Sequence, residues 1–466
     1  MLKDELLEHL CGRLIPFWEN LRDVEHGGYY GWMDSGLVVD REAVKGCILN
    51  SRILWFFSSA SMCLREEETG LQKTEAISAH ERKGREAGSG QGSMADSLKV
   101  CADWAYRFLR EKCVDPTRGG VYWSLDYKGQ PEDTTKHTYN QAFAVYALSS
   151  YFRAFHDREA LELAERLIQV IEDRCFDEYG YKEAQDIAFC PIANDKLSEN
   201  GVMADRTMNT LLHVLEAYTE YLLACRETER FFGGDWPMAS EGNCPAAEER
   251  RRQEDSGEEA GSTLRGDCQT ASDESLPAAD RDVHGKRRWQ QVVTEKLRWI
   301  LNQVAEHVYN PARRRQEVFF DLHMNSLIDL HSYGHDIEAA WLMDRCLETL
   351  GDEALSRRLS PMLRCLEAEV CEKAYAHHSL ANECERGVVG FYNAYQKTGE
   401  RRYLKAAEDI WGFIQEHLVD ERPEGEWFWY TDAEGNPALE KPIVEPWKCP
   451  YHNGRMCMEI IGRSGK

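Results

Sequence analysis

The chain lacks any C-x-x-C pair, although it carries 16 cysteines; they are scattered singly, as at Cys63, Cys101, Cys225 and Cys346. In 466 residues that pattern reads as buried, reduced thiols in a reducing compartment and argues against a disulfide framework. No apolar run approaches the length of a membrane span. The opening residues, from Met1 to Leu10, mix charge into an amphipathic pattern without the apolar stretch of a secretory signal. The expected location is the cytoplasm. Positive charge is scarce: 56 Lys and Arg face 81 Asp and Glu, for a net charge of -25. Nucleic acid and anionic membrane would be repelled, so a small molecule is the natural guest.

What is present is helix. Leu297, Ile300, Leu301, Val304 and Val308 mark one face of a helix over about 290–309. Leu161, Ala164, Ile168 and Ile171 do so after Asp157, a plausible N-cap, and Tyr403, Ala407, Ile410, Ile414 and Leu418 repeat the pattern. Between these lie more apolar helices: Cys47–Cys63, Asn140–Tyr151, Asn209–Leu223, Ala339–Leu350 and Val388–Tyr395. A helix apolar over most of its surface is covered by neighbours on all sides.

A short aromatic pattern recurs between the helix pairs, from His26 to Gly36, from Arg118 to Gly129 and from Gly425 to Gly435. Each reads as a small hairpin closed by an Asp- and Gly-containing turn. Recurrence at this interval predicts about six helical hairpins in a closed repeat, an all-α (α/α)6 barrel of two concentric helix layers with short β-hairpins in its loops. An open solenoid would leave such apolar inner helices uncovered. Residues 1–466 form one domain in this reading. Two polar, aperiodic stretches, 66–96 and 232–288, are expected to be disordered insertions.

Two segments carry the chemistry. Glu445 to Arg455 contains Trp447, Tyr451, His452 and Asn453; His331 to Trp341 contains His335, Asp336 and Glu338. Each sets a histidine among amide, carboxylate and indole groups where an apolar helix begins. Two imidazoles working one pocket suit a carbon that loses a proton from one face and regains it on the other. Arg52 heads the run Ile-Leu-Trp-Phe-Phe and is expected to point into a cavity, while Asn209 and His213 lie one turn apart on an inner helix and Tyr139 begins another. The spacing of His331 and His335 matches zinc ligands, but Ser332 stands where a metalloprotease helix has Glu, and Gly334 interrupts the turn. No metal is expected. A glycosidase would need two opposed carboxylates; Asp336, Glu338 and Glu445 are candidates but form no clear pair.

The stretches GGYYGWMD (27–34), KGCILNSRILWFFS (45–58), TYNQAFAVYALSSY (138–151), MNTLLHVLEAYT (208–219), HSYGHDIEAAWLM (331–343), ANEC (381–384), VVGFYNAYQKTGE (388–400) and EPWKCPYHNGRMC (445–457) resemble the cellobiose 2-epimerases of the N-acylglucosamine 2-epimerase superfamily. The resemblance implies an (α/α)6 barrel that epimerises C2 of the reducing-end glucose of β-1,4-disaccharides, cellobiose or lactose, without a cofactor. It implies His335 and His452 as the acid/base pair and Arg52 as the group holding the opened sugar's oxygens. Tyr139, Asn209, His213, Glu338, Trp341 and Trp447 match sugar-contact or supporting positions. The expected partner is the disaccharide alone, and the expected state a monomer or weak homodimer.

One departure stands out. The family's Trp-Trp-x-Gln-Ala-Glu-Ala segment is missing, because Asn382 to Gly387 runs straight into Val388. The absence removes an aromatic platform, a carboxylate and about two helical turns. Glu383 and Glu385 are the nearby candidates for replacing that carboxylate in part. The other readings are a non-catalytic carbohydrate-binding barrel, an epimerase for a monosaccharide such as N-acylglucosamine or mannose, and an (α/α)6 glycoside hydrolase.

Overall fold

The computed structural model describes residues 2–78, 94–194, 196, 201–232, 288–376, 378–380, 384–432 and 434–464. Twelve helices run through the described residues in strict outer–inner alternation. The outer ones are α1 (Leu2–His9, continuing through a π turn into Ile15–Asn20), α3 (Met94–Phe108), α5 (Arg158–Val170), α7 (Arg288–Gln303), α9 (Glu353–Lys373) and α11 (Arg401–His417). The inner ones are α2 (Cys47–Ser78), α4 (Thr138–Phe155), α6 (Met208–Phe232), α8 (Tyr333–Leu350), α10 (Cys384–Thr398) and α12 (His452–Ser464). Each inner helix packs on the next, and α12 returns to pack on α2, closing the ring. The (α/α)6 barrel read from periodicity is the fold.

Closure depends on close approach. A Cβ on Gly390 would lie 2.3 Å from Cγ1 of Ile337 and 2.9 Å from its carbonyl oxygen, so only glycine lets α10 reach α8. Asp157 caps α5 as expected, accepting from the backbone N–H of Ala160 at 3.2 Å. The Val304 and Val308 face continues past α7 as a π turn, Val304–Val308.

The strand entering an inner helix pairs with a strand from the next repeat. Lys45–Gly46, just before α2, pairs with Ser124–Leu125; Lys136–His137, before α4, with Ala184–Gln185; Arg206–Thr207, before α6, with Phe319–Phe320. A buried cation in each entering strand meets an aspartate: Lys45 with Asp23 at 2.6 Å, Lys136 with Asp115 at 3.1 Å and Arg206 with Asp177 at 2.6 Å. These clips gather the N-termini of successive inner helices at one end of the barrel.

Two expectations change at their edges. Helix α2 extends to Ser78 and α3 starts at Met94, so the outer parts of the 66–96 stretch are helical; Glu, Gln, Lys, Leu and Ala there are strong helix formers. Residues 79–93 and 233–287 lie outside the described residues. Cys47–Glu68 is in fact long and apolar enough to cross a membrane, with mean hydropathy 1.3, but 83% of that window is buried inside the barrel. It is apolar because neighbours surround it. No disulfide forms among the described residues.

Candidate active site

The first two turns of all six inner helices bring functional groups to the gathered end. Arg52 comes from α2, Tyr139 from α4, Asn209 and His213 from α6, His335 and Glu338 from α8, Arg386 from α10, and His452 and Arg455 from α12.

Arg52 is buried, as its position ahead of an apolar run predicts. Its Nη2 donates to the Tyr139 hydroxyl at 2.9 Å and its Nη1 to the Trp447 carbonyl at 3.4 Å. The guanidinium carbon sits 4.3 Å from the Phe143 ring centroid and 4.8 Å from that of Tyr451. Aromatic faces attract a cation and exclude water, which strengthens its field in the pocket. Trp447 is half-buried and lies 5.6 Å from Trp123 and 6.0 Å from Tyr139, ring centre to ring centre. Such rings offer flat apolar faces to the C–H surface of a sugar.

On α6, His213 turns Nδ1 to Glu216 at 2.9 Å, while its buried Nε2 has no hydrogen-bond partner among the described residues. Asn209 Oδ1, one turn earlier, is in the same condition. Buried polar atoms without partners are rare in folded proteins, and this pair suits the hydroxyls of a polyol.

His335 sits in the first turn of α8, where Ser332 Oγ meets its Nδ1 at 2.7 Å. The residue is 8% exposed. Burial holds its pKa well below the ordinary imidazole value, and Arg386 lowers it further. His452, half-buried at the start of α12, is depressed in the same way, by burial first and then by Arg386, Arg455 and Arg52. Both rings are therefore neutral bases at neutral pH. Glu338 lies between two guanidiniums, pairing with Arg386 at 2.8 Å and with Arg455. Burial disfavours its charge, but the two arginines prevail and keep it ionised. Glu216, likewise buried, is brought down to about 2 by Arg455 and His213.

Asp336 does not crowd His335 as its position in the sequence suggested. One oxygen accepts from Gln316 and the other meets His331 Nε2 at 2.9 Å, so it braces the loop entering α8. His331 is thereby turned to Asp336. Glu445 accepts from the Trp447 backbone N–H at 3.1 Å, a local loop contact. Trp341 is fully buried and lies under the Arg455 guanidinium at 5.1 Å, making it a support of the pocket wall. Residues 381–383, including Glu383, lie outside the described residues. Glu385 is half-buried in the first turn of α10, with its pKa raised by burial against the pull of Arg386.

Sequence reasoning singled out neither Arg386 nor Glu216, and it quoted Arg455 and Tyr451 only as parts of a motif. Arg455 donates to Glu216 at 2.8 Å and contacts Glu338 and Tyr451, so it ties α6, α8 and α12 together. The signal that exposed Arg52, a cation at the head of an apolar run, applies equally to Arg386 before Val388-Val-Gly-Phe. Glu216 stands one turn after His213 on an apolar helix, which marks it in the same way.

A helical barrel whose inner N-termini offer neutral imidazoles, guanidiniums and aromatic faces belongs to the class that handles sugars within (α/α)6 folds. Solved structures of family 76 glycoside hydrolases share this fold alone; one from Bacteroides thetaiotaomicron has a TM-score of 0.55 at 8% identity. The family model for N-acylglucosamine 2-epimerase (GlcNAc 2-epimerase) matches residues 87–218. The chain is 38% identical to a cellobiose 2-epimerase of Ruminococcus albus, covering 99% of both chains. It is 40% identical to one of Eubacterium cellulosolvens, covering 99% of this chain and 98% of that one. Among solved structures, a sugar epimerase from a ruminal bacterium superposes with a TM-score of 0.77 at 38% identity, covering 99% of each chain. The cellobiose 2-epimerase of Bacillus thermoamylovorans gives 0.76 at 34%, covering 99% of this chain and 98% of that one. The chain belongs to the cellobiose 2-epimerase family and is an isomerase acting on carbohydrates.

Proposed function

We propose that the enzyme epimerises C2 of the reducing-end glucose of a β-1,4-disaccharide, cellobiose to glucosyl-mannose or lactose to epilactose, with His335 and His452 as the two proton carriers. One observation carries this reading. Two imidazoles from different inner helices, α8 and α12, both stand in the field of the same guanidinium, Arg386.

Once the sugar ring opens, the C2 proton lies next to an aldehyde and is acidified by it. A neutral imidazole removes that proton, and the electrons of the C–H bond move through C1–C2 onto the aldehyde oxygen to give an enediolate. The ring that takes this proton becomes an imidazolium. The other, having bound a proton from solvent, donates it to the opposite face of C2 and ends neutral, so one proton enters and one leaves the enzyme and the two rings exchange roles. A fixed cation near the oxygen lowers the energy of this anion more than that of the neutral sugar, which is how rate is gained. Arg52, held by Tyr139 and caged by aromatic rings, is that cation. Asn209 Oδ1 and His213 Nε2 bind hydroxyls, and Trp447 with Trp123 lines the sugar face.

The carboxylates argue against hydrolysis. A glycosidase needs an opposed acid and base, yet Glu338 is pinned as an anion between two arginines, Asp336 is turned to Gln316 and His331, and Glu445 is held by the Trp447 backbone N–H. Cytoplasmic location and a monomeric or weakly dimeric state complete the proposal. Incubation of the purified protein with cellobiose in D2O, followed by NMR of the reducing-end C2 position, tests it. Epimerisation puts deuterium at C2 and produces a mannose end. Release of free glucose would indicate hydrolysis, and saturable binding without exchange would indicate a binding barrel.

A further inference from the structure

Both ring nitrogens of His452 face guanidinium groups. Arg386 Nη2 lies 3.2 Å from Nε2, and Arg455 Nη2 lies 3.3 Å from Nδ1. A guanidinium only donates. A neutral imidazole can accept at one nitrogen, and an imidazolium at neither. A proton added to His452 would therefore set N–H against N–H on both sides of the ring.

We propose that Arg386 is a positioning residue for the reaction, orienting His452 through Nε2 and, by its ion pair with Glu338, joining that ring to the α8 wall that carries His335. The proposal rests on the epimerase reading above for its catalytic meaning. Arg386 is the third residue of α10. That helix spans 15 residues, against 18 in α4 and in α8. Arg455 also reaches His452 and Glu338 but is held by Glu216 and Tyr451 as well, whereas Arg386 reaches the same two residues from a third helix, α10.

The charged groups around His452 come from several elements. Arg386 comes from α10, Arg52 from α2 and His213 from α6, and Arg455 is on its own helix; Glu216 of α6 and Glu338 of α8 pair with Arg455. Lys448 in the preceding loop and Asn453, the second residue of α12, both engage Glu426. Outer helix α1 turns Glu5 to Trp411, His9 to Trp427 and Arg13 to the Asp420 carbonyl. The arginines and His213 all depress the His452 pKa in addition to burial, with Arg386 first among them.

Two measurements test the proposal. The first is an imidazole 15N NMR titration of substrate-free protein, wild type against Arg386→Met and Arg386→Lys, with the His452 signal assigned from a His452→Gln sample. The second is the pH profile of kcat/KM with cellobiose. In Arg386→Met the His452 titration moves up by about one unit or more toward the ordinary 6.5. The acid limb of the profile follows it, and kcat falls more than KM rises. Arg386→Lys, which keeps the charge, stays near the wild-type titration. An unmoved titration in Arg386→Met overturns the proposal, as does a change confined to KM. A shifted titration in a protein without epimerase activity supports the Arg386–His452 coupling and sinks only the epimerase reading. Should Arg386→Met fail to fold, Arg386→Gln gives the same comparison.

Discussion

The Tyr139 hydroxyl accepts a 2.9 Å hydrogen bond from Arg52 Nη2, joining residues 87 positions apart in the chain. Burial raises the Tyr139 pKa to about 12 even against the opposing pull of Arg52, so the phenol stays protonated and the pair carries a single positive charge. Arg52→Met removes the cation that faces the enediolate. It is expected to lower kcat about 10²- to 10³-fold, the usual loss for a group that stabilises a developing oxyanion. Tyr139→Phe leaves the cation but frees its orientation, and a smaller loss follows. Steady-state epimerisation of cellobiose measures both.

His335→Ala and His452→Ala are each expected to reduce epimerisation by about 10²- to 10⁴-fold, the range for a positioned general acid or base. Proton NMR of the reducing end in D2O reads the result directly. Full activity in either variant would remove that ring from the mechanism.

Acid should destabilise the fold itself. His9 Nε2 accepts from Trp427 Nε1 at 2.8 Å, which requires the neutral ring. Burial and then Arg13 lower its pKa from 6.5 to about 4, against the pull of Glu426. Below pH 6.5 the unfolded chain binds protons that the folded state refuses. Stability is therefore whole above that pH and declines as pH falls toward the folded value, by roughly 3 kcal/mol for this residue. His213, His335 and His452 are also depressed and act in the same direction. Urea midpoints from pH 7 to 4.5 measure the slope. His9→Gln, which keeps an acceptor but cannot take the proton, should flatten it; an unchanged slope would refute the assignment.

Lys45 and Asp23 are both fully buried and meet at 2.6 Å. Lys45→Met strands the carboxylate and is expected to cost about 3–5 kcal/mol. Removing both charges should cost less than removing one, a difference a double-mutant cycle in denaturant resolves.

Gly390→Ala forces a methyl group to within 2.3 Å of Ile337. The backbone carbonyl at 2.9 Å cannot move aside as a flexible side-chain end does. A loss of about 1–3 kcal/mol is expected, seen as a lowered Tm.

Amphipathic periodicity made the helices and their inner or outer placement legible, because burial on one side or on all sides writes itself into residue order. The aromatic hairpin motifs marked the repeat, and cations ahead of apolar runs marked Arg52. Asp336 misled because its neighbours in sequence are not its neighbours in space: a residue at the head of a helix can turn to the incoming loop, as it does toward Gln316 and His331. Trp341, matched to a sugar-contact or supporting position, lies just over two turns into α8, fully buried against the Arg455 guanidinium.

Residue order alone therefore specifies which segments are helical, which helices are interior and which polar groups stand at their N-termini. Ring closure specifies the rest. The ion pairs of Glu338 with Arg386 and Arg455, and the Arg386 guanidinium against His452, join residues from separate inner helices. Periodicity reports the environment of a helix face; it carries no record of which distant side chain fills that environment.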